Sequence, residues 1–111
     1  MKVTIIPDPE FKRQAKQLAK KYRSLKDDLL LLQAELKQNP FIGVDLGNNT
    51  RKVRMAILSK GKGKSGGARV ITYIVTLEVD TYKVRLLTIY DKSEMENVSD
   101  AYLRMLISLE Q

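Results

Sequence analysis

Apolar and polar positions repeat with two rhythms along this chain, and the switch between them divides it into elements. Lys2 to Ile6 is rich in β-formers and predicts a first strand. Asp8-Pro9-Glu10 predicts a helix start, with Asp8 as N-cap, Pro9 at the first helical position and an acid in the first turn. Phe11, Ala15, Leu18, Ala19 and Tyr22 then recur at helical spacing, so this helix runs to about Tyr22. Its opposite face carries Lys12, Lys16 and Lys20. Ser24-Leu25-Lys26-Asp27 has the form of a capping box for a second helix, whose buried stripe is Leu25, Leu29, Leu32 and Leu36. Asn39-Pro40 ends it, because the residue before a proline avoids helical geometry. The pair makes a helical hairpin, with a leucine stripe better suited to core packing than to a coiled coil.

Residues 40 to 50 hold Pro40, Gly43, Gly47 and two asparagines and predict a loop. The period then becomes two: Val53, Met55 and Ile57 alternate with Lys52, Arg54 and Ala56. Residues 59 to 67 read as a flexible basic connector. Ala68 to Leu77 is a strand, Asp80-Thr81 a turn and Lys83 to Tyr90 another strand. A last helix is expected with Ser99 as N-cap and Tyr102, Met105, Leu106 and Leu109 buried. The order is β-α-α-β-β-β-α. That is an α+β fold: a small antiparallel sheet, an N-terminal helical hairpin packed on one face, and a short C-terminal helix. The hairpin covers one face, so the other is expected to be partly open to a ligand.

The 111 residues make one domain, 1–111, with room for a single modest core. Cysteine and histidine are both absent, which excludes disulfides, thiolate nucleophiles, histidine-ligated zinc and the usual serine triad. No carboxylate cluster has metal-ligand spacing, and no cofactor is implied. Met1 to Pro7 is too short an apolar stretch for a signal peptide, and no run is long enough to span a membrane. The expectation is a cytoplasmic protein with no membrane partner.

Charge changes the picture more. The net charge is +7, and it is unevenly spread. Phe11 to Lys26 contains seven basic residues and no acid, and Arg51 to Leu77 contains seven more and again no acid. The remainder is net acidic. A basic surface on a small domain attracts polyanions, because binding releases counterions condensed on phosphates. Two phosphate-loop patterns in the second segment have the wrong context. Gly61-Lys62-Gly63-Lys64-Ser65-Gly66 matches GxGxxG, and Gly63-Lys64-Ser65 ends like a Walker A loop. Both motifs need a following helix, and here a strand follows.

The residues that can do chemistry are Lys52 and Arg54, two apart on one strand and therefore on one face, and Arg69 early on the next. Lys92 and Glu94 follow the last strand, at the same end of the meander. These five are the candidate catalytic set. Lys60, Lys62, Lys64, Arg51 and Tyr90 are the candidate polyanion contacts.

With Asn39-Pro40, Leu46-Gly47, Arg51-Lys52-Val53-Arg54, Gly63-Lys64-Ser65-Gly66-Gly67-Ala68-Arg69-Val70-Ile71 and Tyr90-Asp91-Lys92-Ser93-Glu94 in this order, the chain resembles the RelE/HigB-type toxins of bacterial toxin–antitoxin modules. The resemblance covers Pro7 to Leu109. It implies an mRNA-cleaving endoribonuclease in which Lys52, Arg54 and Arg69 hold the scissile phosphate, and it makes Lys60, Lys62, Lys64, Arg51 and Tyr90 RNA contacts. Ser93 and Ser99 stand where the familiar toxin has an arginine and a tyrosine, so Lys92, Tyr90 or Tyr102 would take those roles. In such cleavage the 2′-hydroxyl attacks its own 3′ phosphate, no metal is needed, and fixed cations stabilise the charge that builds. Lys52, crowded by arginines, is the candidate general base and Glu94 its rival. Implied partners are a cognate antitoxin, mRNA, and the ribosome at its decoding site on 16S rRNA. Lys60 to Lys64 and the Lys12-Lys16-Lys20 face would meet ribosomal RNA. Two other readings stay open: a ParE-type inhibitor of DNA gyrase on the same scaffold, and a non-catalytic RNA-binding module.

Overall fold

The computed structural model describes residues 1–109. Its elements are β1 (Lys2–Pro7), α1 (Pro9–Lys21), α2 (Leu25–Gln38), β2 (Val44–Gly47), β3 (Thr50–Met55), β4 (Ala68–Glu78), β5 (Thr81–Asp91) and α3 (Asp100–Ser108), with a single 3-10 turn at Leu58–Lys60 before β4. The fold is α+β, as the periodicities predict. Among the described residues no helix is long and apolar enough to cross a membrane.

The strands form one sheet in the order β1-β5-β4-β3-β2. β2 to β5 are an antiparallel meander, and β1 adds in parallel along the first half of β5, from Lys2 opposite Thr81 to Pro7 opposite Leu86. The sheet is therefore mixed rather than purely antiparallel. The stretch 40 to 50 is more than a loop. It holds the edge strand β2, turned back onto β3 by Asn48 and Asn49, both at positive φ. Asparagine tolerates that left-handed geometry, and two such residues in succession match the twist of a tight hairpin. Gly43 also sits at positive φ, with the Lys52 carbonyl 2.6 Å from where a Cβ would stand.

Strand alternation separates two cores. Val53, Met55, Val70, Ile74, Val84, Leu86 and Ile89 face the hairpin and pack with Phe11, Leu18, Leu25, Leu32 and Leu36. Ile71, Leu87 and Tyr90 face the other way and pack with Leu103 and Leu106 of α3. A bulge makes this possible on β5. Ile71 pairs with Thr88 and Thr72 with Leu86, leaving Leu87 as the extra residue. Leu86 and Ile89 thus share the hairpin face although their spacing is odd.

Several expectations change. The second sheet face is largely roofed by α3, because Leu103 and Leu106 give that helix an apolar side of its own. Met105 and Leu109, expected inside, are about half exposed, and Tyr102 is only partly buried. Ala19 is exposed on α1. The capping box does not form: Ser24 is in the helical region, and its Oγ donates to Asp28 Oδ2 at 2.8 Å instead. Asp8 occupies the N-cap position without a side-chain cap bond, and its carboxylate turns to Arg85. The strand after the hairpin spans 50–55, so Ile57 is buried outside it.

Candidate nucleic-acid interface

Register decides which cations meet. Arg54 and Arg69 are direct cross-strand partners, and Lys52 opposite Ile71 lies one step further along the same face. Like charges directly opposite are destabilising in a sheet. Arg54 is exposed, and among the described residues it makes no hydrogen bond or ion pair. Arg69 is 6% exposed, with no carboxylate partner among the described residues. Its guanidinium donates to the carbonyls of Lys64 at 2.9 Å, Ala68 at 3.0 Å and Ser65 at 3.1 Å. Burial, and the Arg54 charge beside it, push the Arg69 guanidinium down from its ordinary value. On its other side Arg69 pairs with Tyr90 of β5. The Tyr90 hydroxyl is buried without a hydrogen-bond partner among the described residues, and burial pushes its pKa up against the opposing pull of Arg69.

The remaining candidates separate. Arg51 points to the opposite face by alternation, where its guanidinium lies 5.7 Å from the Phe41 ring centroid and 3.7 Å from Asp45. Lys60 is not a free contact: its ammonium is 2.6 Å from Asp91 Oδ1 in a nearly buried ion pair. Asp91 also accepts from the Tyr22 hydroxyl at 2.6 Å and from the Ser93 N–H and hydroxyl at 2.9 and 2.8 Å. Burial alone would raise the Asp91 carboxyl, but these donors hold it well below the usual carboxylate range. Lys64 reaches Glu35 at 3.4 Å across exposed surface, while Lys62 stays exposed at the loop tip. Lys92 is exposed, and its backbone N–H donates to Gly67 at 3.0 Å. Glu94 does not join the cation set. It turns to α1 and pairs with Lys21 at 3.5 Å.

The basic connector is bonded along its length rather than loose. Ser59 is tied to Ser24, Lys60 to Asp91, and the carbonyls of Lys64 and Ser65 to Arg69. Gly67 lies so close to the Met55 carbonyl oxygen that a Cβ would collide with it. Any side chain there would push the loop off the end of β3.

One partner has no signature in the sequence. Residues 92 to 99 cross the α3 face, packing Met95 and Val98 against the second core, and Asn97 Oδ1 accepts from Lys52 Nζ at 3.3 Å. No periodicity marks an irregular segment that crosses a sheet. Asp91 was more legible: an acid closing an apolar strand has to be paired if it is buried. Among the described residues no cluster of acidic side chains could hold a metal ion. No protein-family model matches the chain.

Proposed function

We propose that this chain is an mRNA-cleaving endoribonuclease of the toxin–antitoxin type, acting in the cytoplasm on ribosome-bound transcripts and restrained by an antitoxin. The observation that carries this is the uncompensated Arg54–Arg69 cross-strand pair. The two residues are direct cross-strand partners, the Arg54 charge acts on the Arg69 guanidinium, and among the described residues neither has a carboxylate partner, so a phosphodiester would relieve the repulsion. Exposed Arg54 binds phosphate oxygens directly. Arg69 supports it from beneath as a fixed charge that needs no rearrangement as charge develops.

Lys52, in its neutral amine form, is the candidate for receiving the 2′-hydroxyl proton, since Glu94 is engaged on the α1 side. The 2′-oxygen then bonds to phosphorus and the bond to the 5′-oxygen breaks. This leaves a 2′,3′-cyclic phosphate, and a proton reaches the departing 5′-oxygen. Lys92, exposed near the same end, is the candidate donor.

One observation favours the non-catalytic RNA-binding alternative: Arg69 already commits three N–H groups to backbone carbonyls. Induced expression with mapping of transcript ends separates the readings. The nuclease gives new 5′-hydroxyl ends, reduced about a hundredfold or more in Arg54→Ala and Lys52→Ala at equal protein level. Full toxicity and unchanged ends in both variants would sink the proposal. Transcript binding without cleavage would support the binding module, and DNA damage with intact transcripts a gyrase inhibitor.

A further inference from the structure

A groove of about 540 Å³ lies beside the half of β5 that β1 leaves unpaired, between α1 and the segment leading into α3. It opens where β1 stops pairing at Leu86, so the last residues of β5 form its floor. Leu18 and Met95 make that floor partly apolar, Tyr102 adds a ring, and Gln17 adds an amide that can donate or accept. At the rim stand Lys21 and Glu94, an exposed pair at 3.5 Å that offers one cationic donor beside one carboxylate. Exposed ion pairs of this kind contribute little to stability, so exchanging partners is easy.

Such a slot has the chemistry of a nucleobase site. Single-stranded bases are recognised by stacking on aromatic or apolar surface and by hydrogen bonds along their edges. A carboxylate is satisfied best by two adjacent N–H donors, which guanine supplies from N1 and N2. The neighbouring O6 accepts from an ammonium. We propose that this groove is a guanine subsite, with Glu94 accepting from the base and Lys21 donating to it. The proposal rests on the RNA reading above. β3 and β5 are two strand spacings apart, about 10 Å, and residues 92 to 99 cross the face between them, so an RNA strand running over that segment would join a phosphate at Arg54 to a base in the groove. Glu94 is thereby a specificity residue rather than the general base.

The test has two arms. Titration of the whole protein with guanosine, adenosine, cytidine and uridine 5′-monophosphates, followed by amide chemical shifts, reads the groove without any cleavage. The guanine nucleotide is expected to bind most tightly and to shift Gln17, Lys21, Glu94 and Met95. Glu94→Gln, at an exposed position, is expected to weaken it about tenfold or more. Equal affinity for all four nucleotides, the same shifts with inorganic phosphate, or no effect of Glu94→Gln would overturn the site. The second arm compares the bases flanking the cut sites of wild type and Glu94→Gln, where a lost guanine preference is expected. Guanine binding with no cleavage by wild type would remove the nuclease and leave the subsite. Cleavage with an unchanged base preference in the variant would remove the subsite and leave the nuclease.

Discussion

Two arginines stand on the same face of the sheet, at opposite ends of the patch that α3 covers, and they are treated differently. Arg85 Nη2 meets the Asp8 carboxylate at 2.6 Å, and the same guanidinium donates to the carbonyls of Leu106, Ile107 and Leu109 at the end of α3. Its charge is neutralised, and it ties the start of α1 to the last helix. Arg69 likewise makes three hydrogen bonds to backbone carbonyls, but among the described residues no carboxylate answers its charge, and its cross-strand neighbour is Arg54. Both guanidiniums are held by backbone carbonyls, and among the described residues only Arg85 has a carboxylate beside it. A cation with its counter-ion is architecture. A buried cation facing a second cation carries a local cost, which is what a site built to receive an anion retains.

The largest expected break in this comparison is at Arg85. Arg85→Ala leaves the Asp8 carboxylate without that guanidinium and unties the end of α3, so it should cost about 3–5 kcal/mol, read by urea unfolding. Next is the acid response. Because the Asp91 carboxyl is depressed in the folded protein, its contribution is fully present above the ordinary carboxylate range. It is lost as pH falls below about 4. Asp91→Asn should be less stable at neutral pH and should lose much less stability than wild type between pH 7 and pH 3. An identical acid limb in both proteins would show that the Lys60 pairing contributes nothing. Smallest is Arg54→Ala. Removing one of two opposed cations should leave stability unchanged or raise it by up to about 1 kcal/mol. A loss beyond about 1 kcal/mol would make Arg54 structural, as Arg85 is, and erase the contrast.

Much of the architecture was legible because long elements carry strong periodicity. The leucines of α2 at positions 25, 32 and 36 are buried as spaced, and the alternation of β3 correctly put Lys52 and Arg54 together. β2 escaped because four residues are too few to show a period and its signal lay in the Asn48-Asn49 turn. On α3, Leu106 is buried as its spacing predicts, whereas Met105 and Leu109 look apolar enough but stay half exposed, and Leu103 packs on Ile71 and Leu87 in their place.

For the candidate site, pairing across strands was only partly readable. Arg69 was expected near Lys52 and Arg54, and register brings it opposite Arg54. That its guanidinium would clasp the loop carbonyls was not foreseeable, since carbonyl positions follow from the loop's fold. Lys60 and Lys62 look alike in sequence. Only the three-dimensional placement of Asp91 makes one an anchor and leaves the other exposed.

The balance of charge around Arg54 is tested most directly by the salt dependence of RNA binding. The affinity of wild type and of Arg54→Ala for a short single-stranded RNA, measured across a range of salt concentrations, gives a slope for each protein. The account predicts a slope shallower by about 0.7 in Arg54→Ala, the share of one phosphate contact, at unchanged stability. Identical slopes would mean that no phosphate meets this pair, and the assignment of the face to RNA would be contradicted.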